Sequence, residues 1–368
     1  MRKPPINIPL AVYGVTALLL TSHAAWPQEA GSGFDLHATV SAQMYDGPES
    51  TEAPRYGSPL TGGIQTVLYP TWKLNDHWSV SGAVEGHTRP YYVDELQTQG
   101  YGLKANILQA TLNYSRFWKN GSMVLRAGEL SSAFGSFLLR YDAADNPLVG
   151  TPQTYGYYYS RVSTLGLTGA EADGTFEKLD FRAQLVNSSP ANPRSILDHD
   201  QYGNWAGGAG YTIRQGLRVG VSAFRGPYLS RHYLYYFPGE APPNQLPAGA
   251  LGMDVEWATG HWNVQGELQR FVMTYHVIPT FHEQAGYAEV RRVLHPRWFI
   301  AERTGYVASS AGTPVQEFEA VAGFRPDSRQ IIKVGYGVDR TSVPGGKWER
   351  MFELQLVTTL HPLSLAGN

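Results

Sequence analysis

From Phe34 onward the chain alternates between apolar and polar side chains. Phe34, Leu36, Ala38, Val40 and Ala42 alternate with Asp35, His37, Thr39, Ser41 and Gln43. Leu179, Phe181, Ala183 and Leu185 do so with Asp180, Arg182 and Gln184, and Leu251, Met253, Val255 and Trp257 with Gly252, Asp254, Glu256 and Ala258. Near the end, Phe352, Leu354, Leu356, Thr358 and Leu360 alternate with Glu353, Gln355, Val357 and Thr359. Successive side chains of a strand point to opposite faces, so each stretch predicts a strand with one apolar and one polar face. Sixteen such segments, mostly of 10 to 13 residues, begin near Phe34, Gly63, His77, Lys104, Ser122, Val162, Thr175, Asn204, Gly216, Gly249, His261, Phe281, Arg297, Val315, Arg329 and Glu349.

The connections carry more information than the strands. Seven are tight turns, around Asn75-Asp76, Asn120-Gly121, Asp173-Gly174, Gln215-Gly216, Thr259-Gly260, His295-Pro296 and Asp327-Ser328. The other eight are generally longer and fall between them. This alternation predicts an all-β fold, a transmembrane antiparallel β-barrel of about sixteen strands with short periplasmic turns and long extracellular loops. Trp72, Trp78, Trp118, Trp257, Trp262 and Trp298 all lie within a few residues of a tight turn, where they predict an aromatic ring at the periplasmic interface. A secreted soluble all-β protein has no reason to sort its loops and tryptophans in this way.

Residues 1–25 have the pattern of an export signal: Arg2 and Lys3, an apolar stretch through Ala17 to Leu20, and Ser22-His23-Ala24 before a cleavage point after Ala24 or Ala25. Residues 26–368 form the expected barrel. Removing Arg2 and Lys3 leaves 27 basic against 31 acidic residues, a balance that argues against nucleic-acid binding. Cysteine is absent, which excludes disulfides and thiolate metal sites.

A barrel of this width encloses water, so the polar face becomes a pore lining. Strand parity assigns Asp35, Glu85, Asp180, Asp254, Glu256, Glu267, Glu289, Glu317, Glu319, Asp339 and Glu353 to that lining, with Arg126, Arg182, Arg218, Arg291 and Lys333. Glu302 beside Arg303 leaves the facing of its strand open. The acidic excess predicts a weak preference for cations, because carboxylate rings favour them. Pairing of these charges across the wall would instead leave no net selectivity.

The longest connection runs from about Ser131 to Arg161, residues 131–161, preceded by Arg126-Ala127-Gly128-Glu129 and containing Phe134-Gly135. It resembles the third external loop of sixteen-stranded bacterial porins, which folds into the lumen and narrows it. The Arg126 to Gly135 stretch is similar to the corresponding passage of the phosphate-selective porin O/P group. The resemblance implies Arg140, Asp142 and Asp145 as the pore constriction, and a homotrimer. Two departures stand out. Such porins commonly end on an aromatic residue, whereas here the last strand is expected to stop near Leu360 and leave His361 to Asn368 as a tail. Phosphate-selective members also resemble one another in basic ladders inside, so phosphate selectivity does not follow from an acidic lining.

No Gly-rich phosphate loop, HExxH motif or GxSxG elbow occurs. Asp198-His199-Asp200 and the pair His276 and His282 are expected to be loop residues rather than metal sites, while the Arg231-His232 loop with Tyr228, Tyr233, Tyr235 and Tyr236 fits stacking on sugars and packing on its own rim equally well. The expectation is therefore a porin for passive diffusion of small hydrophilic solutes or ions, contacting outer-membrane lipid, with no catalytic residues, cofactor or metal. The competing reading is an outer-membrane enzyme or adhesin that uses the barrel as a platform.

Overall fold

A computed structural model describes residues 32–46, 60–88, 103–136, 142–156, 167–192, 202–229, 239–310, 312, 314–340 and 348–366. The export-signal segment 1–25 lies outside these residues, as do Arg140, Asp198-His199-Asp200, Arg231-His232, Tyr233, Tyr235 and Tyr236. Sixteen strands follow in order: β1 Gly33–Asp46, β2 Leu60–Lys73, β3 Trp78–Thr88, β4 Leu103–Trp118, β5 Gly121–Leu130, β6 Leu167–Phe176, β7 Leu179–Val186, β8 Asn204–Arg214, β9 Leu217–Pro227, β10 Pro247–Thr259, β11 Trp262–Met273, β12 Phe281–His295, β13 Trp298–Ser309, β14 Val315–Phe324, β15 Gln330–Arg340 and β16 Trp348–Ala366. Each pairs antiparallel with its sequence neighbours, and β1 pairs with β16 to close the barrel. Closure leaves no sheet edge, so every strand's backbone groups are satisfied within the wall, as a hydrocarbon surrounding demands.

At one rim the connections span two to five residues; at the other they span five to thirty-six. Trp72, Trp78, Trp118, Trp257, Trp262 and Trp298 all reach the outside at the short-turn rim. Above them most outward positions are apolar and bare, with Leu251 67% exposed, Met253 64% and Leu268 67%. Those values in a soluble protein would mark a gross defect; on a barrel they are the bilayer-facing belt.

Two local expectations change. The turn between β6 and β7 is at Glu177-Lys178, where Glu177 takes φ 53°, and not at Asp173-Gly174. Asp173 instead lies within β6, ion-paired with Arg126 and Arg182 on its neighbours. Gly174 stands opposite Phe181, whose ring fills the space where a side chain would be. Ion pairing and aromatic cover therefore override a dipeptide that is ordinarily a turn signal. The expected start of β6 at Val162 lies outside the described residues. The second change is at the C-terminus. β16 does not stop at Leu360 but runs to Ala366, because a bulge sets His361 and Pro362 of β16 against the single residue His37 of β1 and so absorbs Pro362, which has no N–H for the ladder.

Met253 sits midway along β10 on the lipid side, so Met253→Arg should destabilise the folded barrel by about 2–4 kcal/mol. Urea unfolding in lipid vesicles, followed by tryptophan fluorescence, measures the loss.

Candidate functional site

The connection between β5 and β6 turns into the barrel, and its backbone is satisfied by side chains of the inner wall. The Ala133 N–H donates to Gln184 of β7 at 2.8 Å and the Gly135 N–H to Ser222 of β9 at 3.1 Å. Glu267 of β11 accepts from the Ser136 hydroxyl at 3.1 Å and the Tyr155 hydroxyl at 2.6 Å. Glu319 of β14 accepts from the N–H groups of Val149 and Gly150 at 2.7 and 3.0 Å, and Glu317 from that of Gln153 at 3.2 Å. An irregular segment buried in a lumen has no ladder for its N–H groups, and carboxylates are the strongest side-chain acceptors available.

Carbonyl groups are gathered from the other side. The Lys333 ammonium of β15, 1% exposed, donates to the carbonyls of Ala143 and Asn146 at 2.7 Å, to that of Leu148 at 3.0 Å and to Gln355 at 2.9 Å. Arg303 of β13 lies among Glu289, Glu317 and Glu319 at 3.8, 3.6 and 2.6 Å, offsetting charge that the wall would otherwise concentrate. Apolar contacts fix the two ends of the dock. Phe134 is fully buried, with ring centroids 5.0 Å from Phe224 and 5.7 Å from Phe271. Leu148 and Val149 pack on Phe299, Ala301, Val321 and Ile331.

The described part of the loop thus lies along the arc from β7 to β16, facing the opposite arc of β1 to β7. A cavity of 540 Å³ lies there, with Asp142, Ala144 and Asp145 of the loop on one side and Arg126, Glu171 and Arg182 of the wall on the other, beside His37 and His361. The Tyr69 hydroxyl of β2 hydrogen-bonds Asp142 and ties the loop's edge to the wall. Arg126 pairs with Glu171 at 2.5 Å and with Asp173, and Arg182 pairs with Asp173 at 2.9 Å. Nearer the turn rim, Arg218 bridges Asp180 and Asp254 at 2.6 Å each, along a second cavity of 240 Å³. Burial, then the neighbouring charge of Asp142, push the Asp145 carboxyl above its ordinary pKa, with Lys333 and Arg325 opposing.

The residues assigned by parity divide into two groups. Arg126, Arg182, Arg218, Asp254 and Arg291 stand partly exposed on the inner face, and Glu256 is exposed near the turn rim. Glu267, Glu289, Glu317, Glu319, Lys333 and Glu353 also point inward, but each is under a tenth exposed. They are not a water lining: most hold or neighbour the loop that covers them. Parity tells which face a side chain takes and is silent on what lies against it. Asp142 and Asp145 are on the loop edge that borders the cavity. The pairing of β13 places Arg303 inside and Glu302 outside. Glu171 and Asp173 were missed as lumen groups; the alternation Glu171-Ala172-Asp173 carried the signal, hidden by the apparent Asp-Gly turn.

Lys333→Met removes the one donor shared by three loop carbonyls and Gln355. Leaving buried acceptors unmatched costs about 1–3 kcal/mol each, so urea unfolding should show a loss of at least ~3 kcal/mol. Limited proteolysis should then cut the loop, which the parent protects.

No family model matches the chain, and no curated protein sequence is similar to it. Its fold is that of solved outer-membrane barrels. The chain is similar to an anion-selective porin from Comamonas acidovorans at 9% identity and a TM-score of 0.62, covering 89% of this chain and 100% of that one. It is similar to OmpF of Salmonella typhi, solved with daunomycin, at 12% identity and 0.62, covering 90% and 98%. It is similar to the trimer form of OmpT, an outer membrane protein of Vibrio cholerae, at 11% identity and 0.56, covering 89% and 99%. Identities this low carry the fold alone, and that fold, a closed sixteen-strand barrel with a lipid-facing apolar belt, is an architecture of the bacterial outer membrane.

Proposed function

We propose that the protein is a porin, a passive channel for small hydrophilic solutes or ions, exported by a signal in residues 1–25 and assembled as a homotrimer. The observation that carries the reading is the inserted loop, whose described residues dock inside the lumen beside a cavity lined with charged side chains. Solutes enter between the long loops, pass the gap between Asp142 and Asp145 on one side and Arg126 and Arg182 on the other, and leave between the short turns. No covalent step is needed. The trimer is supported by the porin-like fold and by the trimeric state of the Vibrio cholerae neighbour.

Charge at the gap sets the selectivity. Glu171 and Asp173 balance Arg126 and Arg182 on the wall, so the loop's two carboxylates tip the gap towards cations. The excess is small, because Lys333 and Arg325 lie on the same side as Asp145.

Refolded residues 26–368 should give stable conductance steps in a planar bilayer, with a reversal potential of cation-selective sign in a salt gradient. Asp142→Asn with Asp145→Asn should bring that potential to zero or invert it, and Arg126→Gln with Arg182→Gln should strengthen it. Because the Asp145 carboxyl is raised, acidification should neutralise it and weaken cation preference at a pH above the ~3.9 of an ordinary aspartate. Asp145→Asn removes that step. A barrel that is folded by heat-dependent gel mobility yet never conducts would overturn the channel and favour a platform for an enzyme or adhesin.

A further inference from the structure

Among the exposed arginines on the outer wall, two stand close together on β9 and β11, high above the tryptophan ring. Arg225 of β9 and Arg270 of β11 both face the lipid. In the register, Arg225 stands opposite Gly249 and Arg270 opposite Leu251, so the two flank β10 diagonally. With strands ~4.8 Å apart and ~3.4 Å of rise per residue, their Cα atoms are about 12 Å apart, within reach of one head group by two flexible side chains. Gly249 contributes no side chain between them. A Cβ placed there would lie 3.2 Å from the Phe224 carbonyl and 3.7 Å from the Arg225 side chain. The arginines line one groove of 480 Å³, with Trp205, Ala223 and Val272 among its other walls.

Their height in the bilayer is informative. Arg270 is eight residues above Trp262 of the interfacial ring, and Gly249 is eight residues above Trp257. At a strand tilt of about 40°, eight residues climb about 20 Å, close to the top of an apolar band about 25 Å tall. The guanidinium groups therefore reach the head-group level of the outer leaflet, on the side of the long loops. Neither arginine has an ion pair or hydrogen bond among the described residues, and no Asp or Glu occupies an outward position of β8 to β12. Directly below, on the same strands, the surface continues as an apolar groove of 610 Å³ through Val221, Met253, Val255 and Leu268. A charged rim above an apolar trough is the shape of a lipid.

We propose that Arg225 and Arg270 form a binding site for a phosphate-bearing lipid of the outer leaflet, with the phosphate held by the two guanidiniums and an acyl chain in the groove below. Arginine suits this role because its planar fork matches phosphate oxygens in pairs. Gly249 and Ala223 keep the floor of the site clear.

The test is lipid binding to the refolded full-length barrel in a non-ionic detergent, read by native mass spectrometry and by the rise in unfolding temperature. The probes are a glycolipid with two phosphate monoesters, the same glycolipid with both phosphates removed, and inorganic phosphate alone. The phosphorylated glycolipid should bind and raise the unfolding temperature; the dephosphorylated one should bind far more weakly, and inorganic phosphate should do neither. Arg225→Gln with Arg270→Gln should weaken binding about thirtyfold, equivalent to about 2 kcal/mol for two basic groups at an anionic surface. Ala223→Phe, which fills the groove and keeps both charges, should also weaken it. Equal binding of both glycolipids, or unchanged binding by the folded double variant, overturns the proposal. A response to inorganic phosphate matching that to the phosphorylated glycolipid would reassign the site to the free ion and overturn the lipid.

Discussion

The structure depends on one reciprocal arrangement: buried charged side chains of the barrel wall satisfying the backbone of a loop whose described residues hold a single short helical turn, Gln153–Gly156. Glu267, Glu317 and Glu319 take its N–H groups, and Lys333 takes its carbonyls. Without these contacts the loop would carry a run of unmatched polar groups into a confined space. Without the loop, the same strands would present a cluster of facing carboxylates separated by little but Arg303. Each side makes the other tolerable, because a buried charge is retained only when paired and hydrogen-bonded.

That arrangement also decides where the passage lies. Sixteen strands enclose more space than their own side chains can fill. The described residues of the loop lie along one arc, from β7 round to β16, and the 540 Å³ cavity lies against the opposite arc of β1 to β7. The positions of Asp142 and Asp145 are consequences of the dock. Lys333 holds the carbonyls on either side of Asp145, and Asp142 is clamped by Tyr69 and by the Ala144 N–H at 2.8 Å. A carboxylate on an irregular loop is as well placed as the contacts that hold its backbone.

The barrel was legible in the sequence because each of its signals is local. Period two gives the faces, turn chemistry gives the hairpins, and tryptophan marks one rim. The failures came where a distant partner outweighed a local preference. Asp173-Gly174 has the composition of a turn, but Arg126 and Arg182, on two other strands, hold Asp173 in a strand. Pro362 ends most strands, but a bulge formed with β1 carries the chain past it. At the site, parity placed the acidic residues on the inner face correctly in direction and wrongly in surroundings. That Glu317 lies beneath Gln153, far away in the chain, is not written in either segment's own pattern. Asp142 and Asp145 were singled out because the loop's length and position resemble those of porins, and they border the cavity.

The two faces of the wall are also coupled through side-chain volume. On β9 to β11, large aromatic residues point inward, with Phe224 and Phe271 closing on Phe134 of the loop. On the same strands the outward positions include Ala223, Gly249 and Gly266. Gly252, which faces inward on β10, leaves room for the Ser222 hydroxyl beside the Phe134 ring: a Cβ there would lie 2.7 Å from that hydroxyl and 3.4 Å from the ring. Large side chains face the lumen where the loop has its apolar anchor, and a groove with Ala223 and Gly249 in its lining lies outside. A strand cannot change the volume on one face at one position without its neighbours setting the other, so an inner anchor and an outer groove on the same staves are two results of one packing solution.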